Sequence, residues 1–345
     1  MSIDKKLVAR YIDRLEITLD DKKQLEYHLS QHLRMNGLYW AAISKQMVDQ
    51  EVSDSQRESL VSWIKKCMDS ETGAFSPYPQ HDAHILSTLS AIQLLIIYND
   101  VGFLKENVFP NIHKYIKNLQ LDNGAFKGDM FTEELDTRYS YNSLHILYYI
   151  HKYTPEIFGD NNLNEIVDKG LAYLKKCFNY DGGFGLKPQR ESHGAHVWTS
   201  FASFAIWDKI DEYFSKQELE ELKWWLSERQ NLDGGLNGRP CKLSDCCYSW
   251  WCLASLKLIN YSKHFKDSKH DCLQSIDLHK LKEFIINCQD EVNGGISDRP
   301  GNVVDIFHTC FGLTGMSLIE EILKEDQFKQ IDPRFCMLKK IIDTV

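Results

Sequence analysis

Along most of the chain, segments with apolar residues at helical spacing among charges alternate with segments that are apolar nearly throughout. Leu60, Trp63, Ile64 and Cys67 share one face of a charged segment, as do Leu222, Trp225 and Leu226. That spacing predicts amphipathic surface helices. About ten residues further on comes the second kind of segment: residues 84–98 (HILSTLSAIQLLIIY) and 248–259 (YSWWCLASLKLI) are apolar on all sides, which predicts buried helices. Strand signals are few.

A recurring punctuation separates the two kinds. CMDSETGAF from Cys67, LQLDNGAF from Leu119, CFNYDGGF from Cys177, RQNLDGGL from Arg229 and CQDEVNGGI from Cys288 are versions of one segment. Their first glycines, Gly73, Gly124, Gly182, Gly234 and Gly294, lie 51, 58, 52 and 60 residues apart. So regular a period marks one supersecondary unit copied along the chain. In each copy, polar residues and Asp/Asn-Gly stop the surface helix. Gly182, Gly183 and Gly185 look superficially like a phosphate loop, but their place in the repeat makes them turn glycines. A length of 345 residues suggests about two domains; the repeat argues for one. The expected fold is all-α, an α-α toroid (α6-α6 barrel) of helical hairpins with buried helices inside and amphipathic ones outside. It forms a single domain over residues 1–345, with 1–24 as an N-terminal extension.

Eleven or twelve residues after each first glycine stand His84, Asp136, His193, Asp245 and Asp305. Each opens an inner helix, so together they ring one mouth of the barrel with carboxylates and imidazoles, where helix N-termini also favour anions. An Asp at such a place also serves as a plain N-cap, worth about 1 kcal/mol.

The densest chemistry lies in GLNGRPCKLSDCCYSWW (235–251) and DRPGNVVDIFHTCFG (298–312). They contain Asp245, Cys247 and His308, a carboxylate, a thiol and an imidazole. Zinc accepts that mixture, and three protein ligands leave its fourth position open to a substrate. His308 follows Asp305 by three residues as Tyr248 follows Asp245, so two neighbouring inner helices could clamp one ion. Against this, Asp-x-Cys is a common string, and a single His on a buried helix is more often a hydrogen-bonded core residue. Cys246 points away from Cys247 by helical phase. Arg239 and Lys242, with His193 one repeat earlier and Arg138 two repeats earlier, form a cationic group suited to a small polyanion such as a diphosphate; the alternative is that they neutralise nearby acids. Trp198, Tyr248, Trp250, Trp251, Phe307 and Phe311 are core residues by default. In a toroid they also line a cavity for a long apolar ligand.

Composition narrows the class. Hydrophobic residues are 43% and charged residues 26%, which excludes a disordered or fibrous chain. A net charge of −9 disfavours nucleic acid or an anionic membrane as partner. The first residues do not resemble a signal peptide, and no window approaches the roughly 18 apolar residues of a membrane span, so the expectation is a soluble cytoplasmic protein with no transmembrane segment. The ten cysteines lack a CxxC pair, as reduced, mostly buried thiols would. GxxxxGK[ST], GxSxG, HExxH and GxGxxG motifs are missing.

YHLSQHLRMNGLYW, QHDAHILSTLSAIQLL, DTRYSYNSLHIL, NYDGGFGLKPQRESHGAH, WWLSERQNLDGGLNGRPCKLSDCCYSWWCLASLKLI and CQDEVNGGISDRPGNVVDIFHTCFGLTG resemble the β-subunits of protein prenyltransferases. The likeness runs from about Leu25 to Met337. CYSWW at Cys247–Trp251, where the farnesyl and type I enzymes have Phe before the last Trp, points to the Rab geranylgeranyltransferase (type II) branch. The resemblance implies zinc on Asp245, Cys247 and His308, geranylgeranyl diphosphate held by His193, Arg239, Lys242 and Tyr248, and Phe307 and Trp251 beside the isoprenoid or the metal. It implies an α-subunit, a Rab escort protein and Rab GTPases as partners. Asn36 stands where farnesyltransferase has a bulky Trp, which leaves room for a longer isoprenoid; the type II subunits compared have Ser there. Asp298 matches a position linked in farnesyltransferase to magnesium, so Mg2+ is a second candidate cofactor. Three alternatives remain: a CaaX prenyltransferase (type I geranylgeranyl- or farnesyltransferase) β-subunit; a terpene cyclase, whose DxDD or DDxxD cluster is missing; and a non-catalytic helical scaffold.

Overall fold

Three of the surface helices start at side-chain caps. The computed structural model describes residues 2–158, 162–266 and 271–344. Among them are twelve helices of ten residues or more: α1 (Lys5–Asp20), α2 (Arg34–Met47), α3 (Asp54–Lys66), α4 (Ile85–Ile97), α5 (Phe109–Leu119), α6 (Thr137–Tyr153), α7 (Asn162–Lys176), α8 (Gly194–Ile206), α9 (Lys216–Ser227), α10 (Tyr248–Ile259), α11 (Leu278–Asn287) and α12 (Ile306–Leu323). Ser53 and Gln56 close a capping box on α3, and Ser215 and Glu218 do the same on α9, each pair satisfying two donors that the helix cannot. The odd-numbered helices are amphipathic and partly exposed. The even-numbered ones are buried along most of their length, as the all-round apolar sequences of α4, α8, α10 and α12 require.

Four of the five repeat positions are N-caps of the buried helices; the fifth, Asp245, stands two residues before Cys247, the N-cap of α10, and also accepts a backbone N–H. His84 Nδ1 accepts from the Leu86 N–H at 3.1 Å, Asp136 Oδ1 from Arg138 at 2.8 Å, and His193 Nδ1 from Ala195 at 3.3 Å. Asp245 Oδ1 accepts from Cys247 at 2.9 Å and Asp305 Oδ1 from His308 at 2.8 Å. His84 therefore precedes its helix rather than beginning it.

The chain divides into two compact units. One takes residues 1–14, 43–50 and 175–344; the other takes 15–42 and 51–174. In the first, α8 packs on α10 and α10 on α12; in the second, α4 packs on α6. All five first glycines have φ between +73° and +93°. At Gly182 a Cβ would press on the Glu221 carbonyl of α9, and at Gly294 it would collide with the Leu7 carbonyl of α1. Each of these turns thus needs glycine twice over, for its left-handed backbone and for the neighbouring helix lying on it. The expected extension, residues 1–24, contains α1, whose Leu7 and Tyr11 cover the turn at Gly294 and Gly295.

Two short antiparallel pairs complete the first unit: β1 (Ile296–Ser297) with β2 (Val304–Asp305), and β3 (Ile331–Asp332) with β4 (Met337–Leu338). The first pair sets Asp305 opposite Ile296. One sequence expectation needs correction. α12 is 18 residues long with mean hydropathy 1.2, long and apolar enough to cross a membrane, yet 67% of it is buried in the protein. A core helix apolar on every side passes the same test as a membrane span.

Candidate metal centre and anion site

The loop before α10 is tied down at both ends of the motif. The Asp245 N–H donates to Leu236 O at 2.9 Å, and the Cys246 N–H to Asp298 O at 2.8 Å. Cys247 is the last residue before α10. On α12, Gly312 and Gly315 carry no side chain toward α10: a Cβ on Gly312 would lie 3.0 Å from Cys246 Sγ, and one on Gly315 would collide with Ser249 Oγ. The close approach of the two helices carries the start of α12 to the start of α10. His308 Nε2 thereby comes within 3.3 Å of Asp245 Oδ1, and one ligand atom from each of Asp245, Cys247 and His308 lies within 4.8 Å of the others. Cys246 instead neighbours Cys288, as its helical phase predicts.

Burial and charge set the protonation states of this cluster. Burial opposes a charge on His308, but the hydrogen bonds it donates to Asp245 and Asp305 outweigh it and raise its pKa to about 10. Burial pushes Asp245 up, and the His308 and Cys247 hydrogen bonds more than reverse that, leaving its carboxyl below the usual range. Burial and then the Asp245 charge hold the Cys247 thiol well above its ordinary value. In the metal-free protein the cluster therefore keeps protons that a cation would displace. The donor set, a carboxylate, a thiol and an imidazole within 4.8 Å of one another, is of the kind zinc takes.

Beside it lie the candidate anion-binding residues. Tyr248 Oη and His193 Nε2 are 3.1 Å apart. His193 Nδ1 accepts a backbone N–H, so in the neutral ring the proton sits on Nε2 and is donated to Tyr248. Burial pushes the Tyr248 hydroxyl upward, keeping it a donor. Arg239 pairs with Glu191 and is part-exposed; Lys242 is exposed. The neutralising alternative thus accounts for Arg239 at rest. Trp251 lies 4.3 Å from Phe311 and 6.3 Å from Phe307 between ring centres, and 5.2 Å from Trp198. In the other unit, Arg138 grips the carboxylate of its own cap, Asp136, at 2.8 and 3.0 Å. Asn36 Nδ2 donates to Ser90 Oγ at 3.0 Å and Leu86 O at 3.4 Å on α4. The sequence did not single out Glu191 as the partner of Arg239, and it placed Asp305 in the ring at the barrel mouth or as a plain N-cap, not against the His308 ring. The three-residue spacing from Asp305 to His308 was the available signal.

Residues 4–337 match the prenyltransferase alpha-alpha toroid domain. The chain is 43% identical to the geranylgeranyl transferase type-2 subunit beta of Saccharomyces cerevisiae, over 96% of this chain and 93% of that one. It belongs to this prenyltransferase β-subunit family. Against the geranylgeranyl transferase type-1 subunit beta of Arabidopsis thaliana, identity is 33% over 69% of this chain and 60% of that one. In fold, this prenyltransferase chain superposes on a Candida albicans protein geranylgeranyltransferase-I complexed with GGPP with a TM-score of 0.83, covering 99% and 98% of the two chains at 20% identity. It has the α-α toroid fold expected from the repeat. The family match begins at residue 4, so α1 lies within it.

Proposed function

We propose that this prenyltransferase is the catalytic β-subunit of a Rab geranylgeranyltransferase. It transfers geranylgeranyl from geranylgeranyl diphosphate to C-terminal cysteines of Rab GTPases. The observation that carries the reading is the convergence of Asp245, Cys247 and His308 within 4.8 Å, on a chain whose type-2 relative is 43% identical over nearly its full length. The working assembly would include an α-subunit and a Rab escort protein, in the cytoplasm, with the chain forming one domain.

Asp245, Cys247 and His308 would hold zinc, which when bound lowers the pKa of an acceptor thiol so that it reacts as thiolate at neutral pH. The remaining work falls to the chain's own side chains. As the sulfur–carbon bond forms at the first isoprenoid carbon, the carbon–oxygen bond to diphosphate breaks and its electron pair leaves with the diphosphate. Because His193 donates to Tyr248 Oη, the Tyr248 proton is free to point at that leaving oxygen. Arg239, released from Glu191, and Lys242 add positive charge where negative charge builds. Trp251, Phe307 and Phe311 offer an apolar wall to the isoprenoid. Asn36, smaller than Trp and held against α4, leaves space for the longer chain. Asp298 accepts from Asn302 and pairs with Arg299 at 2.8 and 3.1 Å, so magnesium there would have to displace the arginine.

The test is metal content by elemental analysis of the chain co-expressed with a cognate α-subunit, for wild type, Cys247→Ala and His308→Ala. About one zinc per heterodimer, lost in both variants, is expected. Zinc missing from folded wild type, or retained by both variants, rejects the mechanism.

A further inference from the structure

We propose that Asp305 is the positioning residue of the metal centre, fixing His308 as the Nδ1–H tautomer so that Nε2 is the ligand atom. This inference rests on the reading of Asp245, Cys247 and His308 as a metal site. A neutral imidazole has one proton for two nitrogens, and only the nitrogen without it has a lone pair for a metal. His308 Nε2 faces Asp245 Oδ1 at 3.3 Å, inside the ligand cluster. Nδ1 faces away from the cluster, 2.5 Å from Asp305 Oδ2. Both carboxylates only accept, but Asp305 is the nearer and lies outside the ligand cluster, so a proton kept on the ring belongs on Nδ1, leaving the lone pair of Nε2 to a metal.

The repeat makes the arrangement stand out. Four of the five equivalent side chains accept from the backbone N–H two places on: Leu86, Arg138, Ala195 and Cys247. Asp305 reaches one residue further, to the N–H of His308 at 2.8 Å with Oδ1, and with Oδ2 it takes the ring of the same residue. One carboxylate thus grips both backbone and imidazole of His308, leaving the ring little freedom to turn. The backbone of Asp305 is itself anchored. It pairs with Ile296 across the β1–β2 ladder; its carbonyl accepts from Thr309 Oγ1 at 2.6 Å, and that hydroxyl accepts from the Ile296 N–H at 2.9 Å. The same repeat position thus supplies a metal ligand in one copy, Asp245, and the orienting partner of a ligand in the next.

Asp305→Asn separates this role from capping. The amide oxygen still caps α12, because Asn caps as well as Asp, but an NH2 now opposes Nδ1 and favours the tautomer that blocks Nε2. The measurement is Co2+ affinity by visible absorption and chelator competition, on the full chain co-expressed with its α-subunit. The substitution is expected to weaken binding by about 10–100-fold with the thermal midpoint of the metal-free protein unchanged. Asp305→Ser, which keeps a capping hydroxyl too short to reach Nδ1, should show the same loss and stands in if the Asn variant folds poorly. In a His308→Ala background, where no ring remains to orient, Asp305→Asn should change affinity by less than about twofold. Wild-type affinity in both Asp305 variants overturns the proposal, as does an undiminished loss in the His308→Ala background, which would mean that the carboxylate acts by charge alone. If wild type itself binds no Co2+, the metal reading fails and this proposal with it; if wild type binds and the Asp305 variants match it, only the role of Asp305 falls.

Discussion

At the scale of single residues, protons decide how the cluster takes a metal. Cys247 and His308 both have raised pKa values in the metal-free protein, His308 to about 10. Between pH 6 and 8 both therefore carry the proton that ligation must remove. Binding releases up to two protons, so apparent zinc affinity should rise by up to about 100-fold per pH unit in that window; titration in two buffers of different ionisation heat would count them. A slope of zero would mean that the pair is already deprotonated. Gly238 offers a second test, because a Cβ there would collide with Tyr248 Oη. Gly238→Ala should lower kcat by about 10²-fold while zinc content stays unchanged, separating the hydroxyl's role at the leaving group from the metal site. Asp245, Cys247 and His308 were legible in the sequence as a mixed donor set that the repeat places at the starts of two neighbouring inner helices. The ring orientation of His308 was not, because it depends on which oxygen of Asp305 faces which nitrogen.

At the scale of elements, turns and caps carry the repeat. Gly294 has φ +75° and lies beneath the Leu7 carbonyl, so Gly294→Ala combines backbone strain with the displacement of α1. A loss of about 1–3 kcal/mol is expected, read as a lower urea midpoint with earlier proteolysis near α1. A stability within error of wild type would show that α1 does not depend on the turn. Ser215→Ala removes half of the α9 capping box and should cost about 1 kcal/mol, without touching metal content. Surface and buried helices were readable from periodicity, and the chosen examples fell within a residue of their true ends. α1 escaped that reading because its partner, the turn at Gly294, is nearly 300 residues away in sequence.

At the scale of the molecule, the toroid explains why one chain can offer a metal cluster, a cationic group and an aromatic wall together. Within the first unit α8 and α10 pack side by side, so residues more than 50 positions apart, His193 and Tyr248, meet at their N-termini. The proposed activity makes a sharp prediction about acceptors. With a cognate α-subunit and escort protein, the enzyme should geranylgeranylate a full-length Rab with C-terminal cysteines and leave isolated CaaX peptides essentially unmodified, as followed by mass spectrometry. Efficient modification of the peptides alone would instead place the chain with the type-1 enzymes.

The sequence by itself determined the class of fold, the address of the chemistry and the kinds of donor present. Those follow from periodicity and from the repeat, which are properties of order along the chain. Only the tertiary structure decided that α12 is a core helix rather than a membrane span, that α1 packs on the turn at Gly294, and that Asp305 holds the far side of His308. Each of these depends on what lies opposite a residue in space. A composition cannot distinguish a buried apolar face from a lipid-facing one, and a spacing of three residues does not say which atom of a side chain meets which.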